Sequence, residues 1–296
     1  MKELTIISGK GGTGKTTITA AFATLAEQAV LADCDVDAAD LHLILAPREL
    51  SGNDFVGGRA PRLDPEKCTG CGRCVELCRF DAITLVAAED GREEKAEIND
   101  FACDCCGLCA LACPAEAITM QEVVNGRWFV SETRAGKMVH ARLGIGEDNS
   151  GKLVTLVRRQ ARFIAGLEQG RLLLNDGPPG IGCPVTAAIT GVDLVLIVTE
   201  PTLSGIHDME RVHGLCRHFE IPALVCINRF DLNLVNSQKI ENYCREHHLP
   251  LIGEIPLDPV VNRAQVARQS VVEYDCGRIG TIVREMWRRV TEELWR

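Results

Sequence analysis

Short, uninterrupted apolar runs recur along this chain, separated by stretches of helical length. Leu4-Thr5-Ile6-Ile7-Ser8, Val30-Leu31-Ala32-Asp33 and Leu172-Leu173-Leu174-Asn175-Asp176 are three of them. Leu194 to Thr199, Leu224 to Asn228 and Leu251 to Ile255 are three more. Runs of this length without alternation predict strands covered on both faces. Helices are predicted over 14–28 and 151–167. The alternation implies an α/β fold, a doubly wound and mostly parallel sheet with helices on both sides. Near the end, Ile282, Val283, Met286, Trp287, Val290 and Leu294 share one helical stripe with arginines opposite. Such a helix is expected to pack on the sheet, with a membrane-surface role as the alternative.

The pattern breaks between residues 61 and 120, where cysteines and small residues replace the apolar runs. Strand-forming runs lie on both sides of the break. One sheet interrupted by an insertion accounts for this order better than two consecutive domains. The expected organisation is therefore a discontinuous domain, 1–60 with 121–296, and a small inserted α+β domain over 61–120.

The first run leads into Gly9-Lys10-Gly11-Gly12-Thr13-Gly14-Lys15-Thr16-Thr17, and a predicted helix follows. Strand, glycine-rich turn and helix form the context of a phosphate-binding P-loop. Backbone amides of Gly11, Gly12, Thr13, Gly14, Lys15, Thr16 and Thr17 are expected to surround phosphate oxygens, helped by the helix dipole. Lys15 would reach the β- and γ-phosphates of ATP, and the Thr16 hydroxyl would bind Mg2+. Two other runs end in carboxylates, Asp33-Cys34-Asp35-Val36-Asp37 and Asp176. Oxygen ligands suit a hard cation between phosphates, and a fixed carboxylate can align an attacking water.

Fifteen cysteines are present, and eight form a ladder written twice. Cys68, Cys71, Cys74 and Cys78 recur at Cys103, Cys106, Cys109 and Cys113, each displaced by 35 residues. Ala82-Ile83-Thr84 and Ala117-Ile118-Thr119 extend the match, so one small unit has been duplicated in tandem. Thiolate sulfur suits iron–sulfur clusters and zinc alike, but zinc sites usually use two separated CxxC pairs or add histidine. Cys105 is read as a spectator beside Cys106, and the six scattered cysteines as small hydrophobes.

The remaining composition excludes more than it suggests. Net charge is −9 without a basic tract, so no nucleic-acid surface is expected. No apolar run approaches a membrane span and no signal peptide opens the chain, which implies a cytoplasmic protein.

The string KGGTGKTT resembles the deviant Walker A loop of the MinD, ParA, Mrp and nitrogenase iron protein group of ATPases. That resemblance covers nearly the whole chain and implies a role for Lys10, which would cross a face-to-face, ATP-dependent homodimer or related heterodimer to touch the partner's nucleotide. It also implies that Asp35 orients the attacking water, that Asp176 lies near magnesium, and that Asn228 contacts adenine. Hydrolysis would be slow and partner-stimulated.

The cysteine spacing, with Pro114 after Cys113, is similar to that of bacterial two-cluster ferredoxins. By that topology Cys68, Cys71, Cys74 and Cys113 would hold one 4Fe–4S cluster. Cys78, Cys103, Cys106 and Cys109 would hold the other. The closest form of the resemblance is a MinD-superfamily ATPase with an inserted ferredoxin domain. A cobyrinic acid a,c-diamide synthase-like reading would require a glutaminase domain, for which no length remains.

Nitrogenase iron protein bridges its dimer with a cluster. Cys183 has suggestive spacing for that purpose, but in Leu143-Gly144-Ile145-Gly146-Glu147 a glutamate stands where the second thiol should be. A bridging cluster is not expected. Two functions stay open: nucleotide-gated electron transfer or metallocofactor assembly, with a redox or assembly partner protein, and a redox-sensing regulatory or spatial-organising MinD-like ATPase.

Overall fold

A computed structural model describes residues 1–87, 94–144, 150–274 and 276–296. The chain enters β1 (Lys2–Ser8), turns through the glycine-rich loop into α1 (Lys15–Leu25), and returns in β2 (Ala29–Asp33). After α2 (Leu41–Leu45) come β3 (Arg48–Leu63), α3 (Arg73–Leu77), β4 (Ile83–Ala87), β5 (Glu94–Ile98) and α4 (Leu108–Ala112). Next are β6 (Ile118–Thr133), β7 (Gly136–Leu143), α5 (Ser150–Leu167), β8 (Leu172–Pro179) and α6 (Cys183–Ile189). The last part runs through β9 (Leu194–Thr199), α7 (Leu203–His218), β10 (Ala223–Asn228) and α8 (Leu234–Glu246). It ends with β11 (Leu251–Ile255), α9 (Val260–Val266) and α10 (Arg278–Leu294).

Two compact units divide the chain. One comprises Met1–Asn53, Arg127–Leu143 and Ser150–Arg296; the other comprises Asp54–Gly126 with Gly144. Strands β3 and β6 contribute residues to both units.

The larger sheet has the order β11-β10-β9-β1-β8-β2-β7-β6-β3. Every pairing from β11 across to β7 is parallel. Strand period two assigns neighbouring residues to opposite faces. Leu4, Ile6, Leu194, Leu196 and Val198 join the cluster that includes α1 and α10. Ile7, Val195, Ile197, Val225 and Ile227 join the cluster that includes α6, α7 and α8. Double coverage explains why these strands lack alternation in sequence. Parallel pairing puts the C-terminal ends of β1, β8, β9 and β10 on the same side of the sheet, where open α/β folds bind ligands.

Six strands follow the apolar runs, whereas β3, ahead of the cysteine unit, and β6 and β7, at its end and after it, are marked by no such run. The first seven residues of β3 are all exposed, β6 mixes polar and apolar positions, and β7 carries Lys137, His140 and Arg142. No apolar run marked β3 and β6, which keep many exposed positions, while β7 buries Met138 to Ala141 but includes a histidine among them.

Helix α10 packs its stripe inward. Ile279, Val283, Met286, Val290 and Leu294 are buried in the core, and Trp287 meets Phe22 with ring centroids 5.0 Å apart. Arg288 and Arg289 face outward and pair with Glu285. No described helix is long and apolar enough to cross a membrane.

His140 on β7 stacks on Phe129 at 5.2 Å, and its Nε2 lies 2.9 Å from Ser131 Oγ. Burial pushes this imidazole down to about 4, with His42 and Arg142 adding to the effect. The neutral form belongs to the fold, while an unfolded chain takes the proton near pH 6.5. Stability should therefore fall as pH drops from about 6.5 to about 4, by on the order of 3 kcal/mol. A His140→Asn variant should flatten that part of a melting-temperature against pH curve.

Candidate nucleotide site and cysteine unit

The loop after β1 supplies the first half of the site. Gly14 has φ +93° and caps α1 without a side chain, leaving the first-turn amides free for an anion. A Cβ on Gly14 would lie 2.5 Å from Asn228 Nδ2, so both backbone conformation and space demand glycine. Asn228 Nδ2 donates to the Thr13 carbonyl at 2.8 Å, and its Oδ1 accepts from the Arg229 amide at 3.0 Å. The end of β10 thus braces the phosphate loop, and Asn228 retains one N–H and one lone pair for a base edge.

Lys15 is buried, with Nζ 3.6 Å from Asp35 Oδ2. Burial raises Asp35 to about 6, Lys15 pulls the other way, and Asp176 and Asp37 add to the rise. Asp33 accepts from the Asp35 and Leu41 amides, so it shapes the turn that presents Asp35. Asp176 is fully buried at the side of the loop and accepts the Thr19 hydroxyl on Oδ1 at 2.8 Å. Burial raises it above the usual carboxylate range, opposed by Lys15 and by the hydroxyls of Thr16 and Thr19.

Asp176 Oδ2 and Thr13 Oγ1 are buried without a hydrogen-bond partner. A buried carboxylate oxygen left over near the free amides of the helix start fits a magnesium-bound phosphate. Gly11, Gly12, Lys15, Thr16, Asp35 and Asn228 line one cavity of about 940 Å3, which extends along Ile255 to Pro259. The candidate residues from four separate stretches of sequence therefore meet.

Sequence reasoning missed two residues here. Glu200, buried at the end of β9, takes Lys10 and Arg229 on its two carboxylate oxygens. Glu3 is buried beneath the site, where it accepts from Arg158 and from Asn175 beside Asp176. Lone acids in apolar strands carry no motif. The only available signal was a charge inside a run that should hold none.

The cysteine unit repeats in three dimensions as it does in sequence. Gly72 (φ +73°) caps α3 and Gly107 (φ +76°) caps α4, both left-handed and both 35 residues apart. The Ala82 amide donates to Cys78 Sγ at 3.4 Å, and the Ala117 amide donates to Cys113 Sγ at 3.3 Å. Asn99 N–H bonds to Ala82 O and Asp64 N–H to Ala117 O, again one repeat apart. At the matching rungs Cys74 and Cys109, burial raises the thiols while backbone amides offset it.

Cys68, Cys71, Cys74 and Cys113 line one small cavity, while Cys78, Cys103, Cys106 and Cys109 line a second. Each cavity draws three cysteines from one ladder and the last from the other. Cys105 lines neither and is exposed, and every described cysteine is a free thiol. Among the described residues, no three His, Cys, Asp or Glu side chains gather to hold a single metal ion. Cys183 is exposed at the start of α6. The Leu143–Glu147 comparison extends beyond the described residues after Gly144.

A profile described as CbiA, the CobQ/CobB/MinD/ParA nucleotide-binding domain, matches residues 4–271. The chain belongs to this family. An uncharacterised protein of Methanocaldococcus jannaschii is 31% identical over 294 residues, covering 98% of this chain and 96% of its own. Among solved structures, Pyrococcus horikoshii MinD complexed with Mg-ADP superimposes with a TM-score of 0.57 at 17% identity, covering 98% of this chain and 95% of that one. MinD of Aquifex aeolicus, solved in a complex with MinC, gives 0.59 at 19% identity, covering 99% and 96%. At such identities the structures speak for the fold alone: an α/β architecture with a mostly parallel central sheet.

Proposed function

We propose that the chain is a Mg-ATP-hydrolysing, MinD-like switch whose inserted unit carries two 4Fe–4S clusters, so that redox state and nucleotide state inform each other. The observation that carries this reading is the pair of equivalent four-cysteine cavities, joined in one chain to a P-loop with an unpartnered buried Asp176 oxygen. The Mg-ADP bound by Pyrococcus horikoshii MinD supports the same ligand here. Lys15 would hold the β- and γ-phosphates, Thr16 and Asp176 would attend the metal, and ionised Asp35 would align water. Lys10 would reach the nucleotide of a second copy in an ATP-dependent homodimer or related heterodimer.

Cys68, Cys71, Cys74 and Cys113 would hold one cluster and Cys78, Cys103, Cys106 and Cys109 the other. A tetrahedral zinc site with Zn–S of about 2.3 Å needs sulfurs about 3.8 Å apart, whereas a four-iron cube keeps its thiolates wider. Three thiolates from one ladder and the last from the other suit the cube. Ile83, Ala96, Cys109 and Ile118 are the buried members of this unit's apolar cluster. So small a core needs staples, which metal–thiolate bonds supply. Each bound cluster would accept and release one electron, and the amides on Cys78 and Cys113 would favour the reduced, more negative state.

A second reading, delivery of electrons to a redox or cofactor-assembly partner, is favoured by two cluster sites within one small unit. Linkage makes the two readings share one coupling energy. If reduction changes ATP affinity tenfold, ATP must shift the potential by about 59 mV for one electron. They differ in whether electrons leave. Protein purified without oxygen should contain iron and sulfide, and its ATPase rate should differ between oxidised and dithionite-reduced samples. An iron-free protein, or one whose ATPase ignores cluster oxidation and whose EPR spectrum ignores ATP, defeats the coupling. ATP-dependent reduction of a small acceptor would move the conclusion to electron delivery.

A further inference from the structure

Lys10 does not project freely from the loop. Its Nζ lies 3.4 Å from Glu200 Oε2 and 3.2 Å from Thr202 Oγ1 of the same chain. The other Glu200 oxygen accepts from Arg229 at 2.5 Å. Three loops therefore meet in one ion cluster: the P-loop, the end of β9 and the end of β10. The Glu200 side chain is only 8% exposed, whereas Lys10 is 31% and Arg229 39% exposed. The anion is fixed and shielded while the cations stand at the rim. Arg229 also has a left-handed backbone, φ +53°, and its side chain reaches Glu200.

We propose that Glu200 is a latch that holds Lys10 within its own subunit and must release it before the ammonium can reach the phosphates of a second copy. This inference rests on the reading that Lys10 acts across a dimer. Removing a partner from a buried carboxylate is ordinarily costly, because the charge left behind has lost its solvation. Arg229 changes that balance: when Lys10 leaves, Glu200 keeps a guanidinium and the side chain of Thr202 keeps its cap on the Gly205 amide. Phosphates, with more negative charge, compete for the same lysine. The dimer is then opposed by the ion pair that forms whenever a subunit is alone. A partner nucleotide can shift the equilibrium only by the difference between the two lysine contacts. Glu200 is a positioning residue acting through Lys10.

The test uses the full chain with ATP and magnesium in sedimentation velocity, comparing native protein, Lys10→Ala, Glu200→Gln and the double variant. Glutamine preserves the shape of Glu200, and the half-exposed Arg229 stays solvated, so the fold should persist. The expected result is a dimer Kd for Glu200→Gln about 3- to 10-fold tighter than native, the size of a partly exposed ion pair. Nucleotide affinity of the monomer should stay the same, and the melting temperature should fall by no more than a few degrees, as loss of the same ion pair requires. Lys10→Ala should weaken the dimer, and adding Glu200→Gln to it should change nothing further. Glu200→Asp, which keeps a charge for Arg229 but draws it back from Lys10, should give an intermediate tightening.

A Glu200→Gln dimer that is weaker than native or unchanged, while Lys10→Ala still weakens it, overturns the latch and leaves the Lys10 reading intact. If the native chain stays monomeric with ATP, or Lys10→Ala dimerises as well as native, the Lys10 reading fails and the latch fails with it.

Discussion

Replacing Cys68 and Cys113 together with alanine should leave one cluster, about four of eight irons per chain, although the two residues belong to different ladders. Replacing Cys68 and Cys78, which share a ladder, should remove both clusters. The reasoning is geometric. Cys113 lines the cavity of Cys68, Cys71 and Cys74, and Cys78 lines that of the second ladder. A cavity that loses any thiolate loses its four-cysteine set, so damage follows cavities, not sequence order. Iron and sulfide analysis of anaerobically prepared variants, with EPR of the reduced samples, reads the outcome directly. If the Cys68/Cys113 variant is empty and the Cys68/Cys78 variant keeps half its iron, each ladder closes on itself and the crossed assignment is wrong.

The Asp35→Asn substitution should lower ATP hydrolysis by about 100-fold or more while leaving ATP binding intact or tighter. Asp35 is the carboxylate nearest the Lys15 ammonium at 3.6 Å, so it competes with phosphate for that charge. Asparagine removes the competitor and the group that would align water. The native rate should also fall as pH drops through about 6, where burial has placed the Asp35 carboxyl. The working form is the anion, which dominates above that value and is lost below it. The variant should lack this limb. Phosphate release between pH 5 and 8, together with equilibrium nucleotide binding, provides the check. Native-like hydrolysis in the variant would transfer the role to another carboxylate of the turn.

The parts of this molecule with local chemistry were legible in its sequence. The P-loop declares itself because phosphate binding needs glycines at fixed spacing before a helix. The repeated cysteines declare themselves because a duplicated unit copies everything, down to the amides on Cys78 and Cys113. Buried strands were legible because double coverage favours apolar residues on both faces, with buried polar residues such as Glu3 and Asp176 as exceptions. Strands β3 and β6 were not, since exposed and glycine-containing residues give no period to read. Glu200 escaped notice because its meaning lies in partners 190 and 29 residues away, Lys10 and Arg229. A base-contacting role for Asn228 was an expectation from resemblance; the brace it makes to Thr13 is a property of the folded loop.

The inward packing of α10 keeps its apolar stripe away from any lipid surface. Five of its apolar side chains are already seated in the interior, each worth roughly 1.5–3 kcal/mol. To use that greasy side as a tether to lipid, the chain would first have to uncover Phe22 and the sheet beneath it, at a cost comparable with the whole stability of a domain. Any recruitment to a surface must therefore be delegated to some other part of the protein or to a companion.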